Sequence, residues 1–226
     1  MAFVRSVLVV MLKDLRAEIR TKEAINASFA FALVILVLFS FAFDPEADTT
    51  KALSGGLLLI VFAFAGTLIL NRSFARELPN DCLDALVAAP ISGAALFLGK
   101  ALANYVLVLA MEAISLPVFG VFYNVHWTSQ LGELCLVLAL GTWGLTVIGT
   151  FFSALTVNIR LREVMLPMLT YPILVPALMA AMQLSMELIS GNAIGPETER
   201  WLKMLIGFDV AYTAVSVFLV ETVLVG

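Results

Sequence analysis

Within the twenty residues from Asn71 to Pro90, the chain places Arg72, Arg76, Glu77, Asp81 and Asp84 between two long apolar runs. Pro79-Asn80 marks a turn, Asp81 or Asn80 can cap a short helix, and Leu83, Leu86 and Val87 give that helix an apolar strip. Acids, bases and a narrow apolar face at this spacing do contact chemistry rather than bond-making. They suit ion pairing and the filling of a groove on a soluble protein. A chain that only anchors something in a membrane has no use for such a segment, whereas one that is pushed by a soluble partner does.

Polar groups also occur deep in the apolar runs. Glu112 lies near the middle of one of them with Pro117 about a turn later, and Asn104 stands two helical turns before it. A carboxylate at that depth costs roughly 2.5–3.5 kcal/mol on insertion scales, so it must face protein or water. Hydrogen-bonded attachment to a neighbouring helix is the expected role, ahead of a proton or substrate site. Met168, Met179, Met182 and Met186 would share one helical face, and thioethers can ligate haem iron or Cu(I), but packing is the stronger expectation. His126 is the only histidine and sits beside Tyr123, Asn124 and Trp127, as residues of an interfacial aromatic belt do.

Bond-making chemistry finds little support. There is no G-x-x-x-x-G-K-[ST] phosphate loop, no H-E-x-x-H, no G-x-S-x-G and no Cys/His cluster at metal-ligand spacing. No catalytic residue and no metal site is expected. If ATP is used, a separate subunit hydrolyses it. Cys82 in the polar loop and Cys135 near the far end of a later span are kept apart, so no disulfide framework is expected. No nucleic-acid partner is expected.

The elements that must hold these groups follow from composition. Of the 226 residues, 62% are hydrophobic and 13% charged, with mean hydropathy +1.03. Ordinary soluble domains have roughly 45–50% apolar and about 25% charged residues. The chain therefore reads as an all-α integral membrane protein forming one domain over residues 1–226, since backbone polar groups in lipid must bond within a helix. Six spans are expected at about 24–43, 52–70, 101–123, 131–156, 164–190 and 204–225, with 71–100 as a connecting loop.

Residues 3 to 22 form an expected amphipathic interfacial helix, with Val4, Val7, Leu8, Met11, Leu12, Leu15 and Ile19 on one side and Arg5, Lys13, Arg16 and Arg20 on the other. Pro167, Pro172 and Pro176 predict a kinked or broken fifth span. Gly141, Thr142, Gly144 and Gly149 predict close helix packing, within the chain or with a second copy. Ten of the thirteen Lys and Arg residues fall before the first span or in the loops after the second and fourth, which puts both termini in the cytoplasm. The stretch Val7 to Leu12 is too short for a cleaved signal peptide and runs into Lys13-Asp14.

Several strings carry a resemblance along nearly the full length and in order. They are Lys13-Asp14-Leu15 with Glu18 and Arg20, Phe39-Ser40-Phe41-Ala42-Phe43 with Pro45, and Asn71-Arg72-Ser73-Phe74-Ala75-Arg76-Glu77. Cys82-Leu83, Ala89-Pro90, Leu98-Gly99-Lys100-Ala101-Leu102-Ala103-Asn104 and the stretch from Leu166-Pro167 to Val175-Pro176 follow. Together they resemble the haem exporter B family, the permease subunit of the cytochrome c maturation ABC transporter. The resemblance implies a type-2 ABC exporter-like permease of the bacterial inner membrane whose loop between spans two and three carries a coupling helix. Carried over, Arg72, Arg76, Glu77, Asp81, Leu83, Asp84 and Leu86 become the expected contact with an ATP-binding subunit.

The resemblance further implies a haem-handling membrane protein, a small single-span subunit and a periplasmic haem chaperone as partners. Haem is then the transported ligand, no cofactor is covalently bound, and ATP acts through the partner subunit. Because the spans offer chiefly methionines and Glu112 as haem contacts, release of the haem-loaded chaperone is favoured over a haem channel through this chain. The alternatives are an ABC permease for a lipid or drug, and a proton-coupled carrier using Glu112. No inverted repeat of the kind such carriers show is evident.

Overall fold

A computed structural model describes residues 2–43, 47–79, 82, 86, 88–124 and 129–225, and the side chains of 48, 51, 52, 224 and 225 are not described. Among the described residues there is no strand. The helices of known bounds among the described residues are α1 (Ala2–Thr21), α2 (Glu23–Ala42), α3 (Asp48–Leu70), α4 (Gly93–Tyr123), α5 (Leu131–Thr156), α6 (Arg162–Ile189) and α7 (Glu199–Val225). A 3-10 turn at Ala75–Glu77 follows α3. All but α1 are long and apolar enough to cross a membrane. The chain is an all-α, multi-pass membrane protein.

Helix α3 lies at the centre, packed against α2, α4, α5 and α6. Its inward residues Leu58, Phe62, Ala65, Ile69 and Leu70 are almost fully buried, together with Val108 and Met111 of α4 and Ala180, Ala181 and Leu184 of α6. Lipid supplies no hydrophobic drive between helices, so close approach and hydrogen bonding do more here than in water. At Gly99, an added Cβ would lie 2.6 Å from Val10 Cβ and 2.9 Å from the Val7 carbonyl oxygen. Only the missing side chain lets α1 lie flat along the beginning of α4. Ser28 Oγ donates to the Ala65 carbonyl (2.5 Å) and Ser153 Oγ to the Leu70 carbonyl (3.0 Å), binding α2 and α5 to α3.

Helices α1 and α2 are separated by a single residue, Lys22, at φ 54°, a left-handed conformation that turns the chain sharply. Two of the backbone N–H groups that open α2 find their acceptor in α1: Glu18 Oε1 accepts from Ala24 N (2.8 Å) and Ile25 N (2.9 Å). The elbow is thus fixed by a side chain, and Glu18 is 1% exposed. At the opposite end of the bundle, Glu133 Oε2 accepts from Ile194 N (2.8 Å) and ties the segment before α7 to α5.

Several expectations change. Helix α4 begins at Gly93, where the Ser92 hydroxyl accepts from Ala95 N (3.2 Å), so residues 93–100 are helix rather than connecting loop. Its 31 residues give roughly 46 Å, longer than the roughly 30 Å hydrocarbon core, so it extends beyond the bilayer. Likewise α7 begins at Glu199.

Helix α6 is continuous from Arg162 to Ile189 with all three prolines inside it, so the expected break is absent. Leu166, Thr170, Leu174 and Ala177, which alternate with the prolines, are buried, and Tyr171 packs on Phe64 of α3 at 4.8 Å, so neighbouring side chains hold the helix where the ladder loses donors. On α1, Val7 and Val10 are buried against the bundle, while Val4, Leu8, Leu12 and Ile19 of the expected apolar face are exposed, as on a helix that lies at the membrane interface. The inward stripe runs Val7, Val10, Asp14, Glu18 and includes two acids, for the reason given next. Tyr123 does not belong to a belt; it is 0% exposed, stacked on Phe119 at 4.8 Å, with its hydroxyl donating to the Leu36 carbonyl (3.3 Å). His126 and Trp127 lie outside the described residues.

Candidate functional site

The polar interval after α3 is built from its first residues upward. The chain leaves α3 through a tight turn, and Phe74 plunges between Ala154 and Val157 with no exposed surface. That anchor fixes the direction in which the neighbouring charges point. Arg76 donates to Glu18 Oε2 of α1, and Lys13 pairs with both Glu77 and Asp14 Oδ1, the latter at 3.0 Å.

From the other side Lys100 of α4, with 0% of its side chain exposed, uses all three ammonium donors. They go to Asp14 Oδ2 (3.0 Å), Glu77 Oε1 (3.0 Å) and the Ser73 carbonyl (2.9 Å), and the charge sits 5.0 Å from the Phe74 ring centroid. A buried ammonium with three acceptors satisfies every donor it has. Burial opposes the charge of Lys13, but hydrogen bonds to Glu77 and Asp14 hold its ammonium above the ordinary lysine range.

One turn further along α4, Asn104 Nδ2 donates to Ser73 Oγ (2.9 Å) and Thr150 Oγ1 (2.8 Å), adding α5 to the frame. The root of the interval, residues 71–78, is therefore pinned to α1, α4 and α5 by ion pairs and hydrogen bonds across long sequence separations. Such a frame is rigid: displacing residues 71–78 must displace α1 and α4 or break charged contacts.

The sequence-derived candidates divide accordingly. Arg76 and Glu77 are brought together with α1 and α4 inside the chain. Arg72, 44% exposed, pairs with Glu23 at 2.6 Å and borders an open cleft of about 590 Å³ that also reaches Arg76, Arg162 and Glu163. Leu86 is half-buried, and Asp81, Leu83 and Asp84 lie outside the described residues. Asn104 belongs to the frame.

Glu112, eight residues on, does not meet Asn104. It accepts from Thr142 of α5 (2.7 Å) through Oε1, while Oε2 has no partner. This is hydrogen bonding between helices, as expected for a carboxylate at that depth. Cys82 and Cys135 are free and exposed. Met168 and Met179 face outward, 66% and 49% exposed, and no His/Cys/Asp/Glu cluster able to hold a metal occurs among the described residues.

Four groups of the frame escape recognition as a site from sequence: Lys13, Asp14, Glu18 and Lys100. Their signal was present as acids on the helical stripe that also carries Val7 and Val10, and as a lysine inside an otherwise apolar helix. A second omission is Asp209 in α7, considered below.

The model describing the CcmB protein family matches residues 5–225. This chain belongs to that family. The match takes in α1, the polar interval and all six apolar helices, so it covers the frame as well as the spans. Among curated relatives, the Heme exporter protein B of Rhodobacter capsulatus is 32% identical over 206 residues, covering 91% of this chain and 92% of the relative. That of Paracoccus denitrificans is 29% identical, covering 92% and 93%. That of Escherichia coli K12 is 26% identical over 168 residues, covering 74% and 76%.

Proposed function

We propose that this chain is the membrane permease subunit of a haem-exporting ABC transporter that serves cytochrome c maturation. It acts as a single, non-catalytic domain in the bacterial inner membrane with both termini in the cytoplasm. ATP is hydrolysed by a separate subunit that seats on the interval 71–92, with Leu86 and the neighbouring Asp81, Leu83 and Asp84 forming the docking helix and Arg72 the rim. Arg76 and Glu77 act one step behind that surface, holding the interval to α1 and α4.

The observation that carries this reading is the charged frame around Lys100. A loop meant only to join two spans needs no attachment to three other helices, whereas a loop that takes up force from outside must be stiffly joined to what it moves. The names of the curated relatives supply haem as the ligand. A haem-handling membrane protein, a single-span subunit and a periplasmic chaperone are the partners that this assignment brings with it. The described spans offer no histidine ligand and no metal cluster, which supports a role in releasing the haem-loaded chaperone over conduction of haem through this chain.

Deletion and complementation in the source bacterium test the reading. Loss of this chain is expected to abolish covalent haem in periplasmic c-type cytochromes, seen on haem-stained gels, while b-type cytochromes persist. Normal c-type cytochromes in the deletion strain would overturn the assignment, and a defect confined to lipid or drug efflux would favour a permease with another substrate.

A further inference from the structure

Asp209 lies in α7 against Gly144, which stands halfway along α5, and so close to the middle of a hydrocarbon core about 30 Å thick. It is 5% exposed, and neither carboxylate oxygen has a hydrogen-bond partner. The position was prepared for it: an added Cβ on Gly144 of α5 would stand 2.7 Å from Asp209 Oδ1. Trp143, which lines the same cavity, donates its Nε1–H to Thr213 Oγ1 (3.0 Å) and not to Asp209. The ionisable groups of α4 that sense Asp209 or lie near it are Tyr105 and the second carboxylate, Glu112; neither is a cation.

Asp209 forms the floor of a cavity of about 550 Å³ between α5 and α7. The walls are apolar apart from Thr213: Trp143 on α5, and Ile206, Val210 and Val217 on α7. The α7 residues recur every three or four positions and extend for roughly 16 Å along one side of the helix. The opening is lateral, with Val210 65% exposed and Ile206 43% exposed. A lipid headgroup does not reach the middle of the bilayer, and acyl chains offer a carboxylate nothing. Length, direction and polarity match a helix with one donor at its centre.

We propose that this groove is the docking surface for a membrane-spanning helix of a different polypeptide, one that brings a lysine or arginine to the level of Asp209. A second copy of this chain does not meet the requirement. In the six spans no Lys or Arg lies deeper than the eighth residue from a helix end. The inference rests on the reading of this chain as one subunit of a larger membrane assembly.

The test places the photo-crosslinking amino acid p-benzoylphenylalanine at Val210 of the full chain in its own membrane, with a control at the outward-facing Met168. Irradiation is expected to give, from Val210 alone, an adduct to a spanning segment of another polypeptide, whose sequenced peptide contains Lys or Arg. Adduct yield should fall about tenfold or more in Asp209→Leu, as expected when one partner of a buried charged pair is removed. It should fall similarly in Ala214→Trp, which fills the groove from an exposed position, and survive in Asp209→Glu.

Adducts to lipid alone, to a second copy of this chain, or to another protein without dependence on Asp209 would each overturn the proposal. Covalent haem in c-type cytochromes, scored in the same cells, separates the two failures. Lipid-only adducts with normal maturation sink the groove and leave the transporter reading standing, whereas persistence of c-type cytochromes without the chain sinks that reading itself.

Discussion

The end of the bundle around Lys100 and the middle of the membrane around Glu112 and Asp209 both bury charged groups, and they treat them in opposite ways. At the first, Asp14, Glu18, Glu77, Lys13, Arg76 and Lys100 find partners within the chain. At the second, one oxygen of Glu112 and both oxygens of Asp209 are left without one. A chain that can complete a network of six charges is capable of placing one more donor. The contrast separates charges fully paired within the chain from carboxylates whose pairing within it is incomplete.

Breaking the first region should have the largest effect. Lys100→Met would leave Asp14 and Glu77 with only the half-exposed Lys13 between them and the Ser73 carbonyl without its donor, and removal of one member of a buried ion pair costs up to about 3–5 kcal/mol. Thermal unfolding of the purified protein in detergent is expected to show a clear fall in melting temperature. An unchanged melting curve would mean that the frame does not stabilise the fold.

In the second region Glu112→Gln keeps an oxygen to accept from Thr142 and nearly the same side-chain volume, so stability should change by less than about 1 kcal/mol. A large loss in the isolated chain would show that Glu112 is structural after all and erase the distinction between the regions. Smallest is Arg72→Ala: the Arg72–Glu23 pair is exposed on both sides, and such pairs contribute about 0.2–1 kcal/mol and weaken with salt. Melting curves at low and high salt should converge for this variant and the natural protein.

The sequence carried the spans because hydropathy over some twenty residues is a long, averaged signal. It carried the polar interval because its composition departs abruptly from its flanks. It carried Glu112 as a bond between helices because a lone carboxylate at that depth has few other options.

What it did not carry depends on where a side chain points. Asp14 and Glu18 sit among arginines on a helix that looks like a simple surface helix, and only the approach of α4 at Gly99 turns them inward. Lys100 looked like the end of a loop because the helical signal of residues 93–100 is weak, although Ser92 caps it. The three prolines of α6 argued for a break, yet packing on both flanks keeps the helix whole. Asp209 was overlooked because a single acid inside the apolar run of α7 barely alters hydropathy; its importance appears only when Gly144 and the groove lie beside it.

A separate ATP-binding subunit is proposed to sit on the interval between α3 and α4, and a native residue allows that placement to be probed. Cys82 is exposed within that interval, while Cys135, the other cysteine, is exposed near the start of α5 and is removed as Cys135→Ser. In membranes containing the assembled transporter, a benzophenone maleimide attached to Cys82 is expected, on irradiation, to join it to the ATP-binding subunit, with a yield that changes when ATP is added. An intact, ATP-hydrolysing assembly that gives no such adduct from Cys82, with or without ATP, would contradict the account.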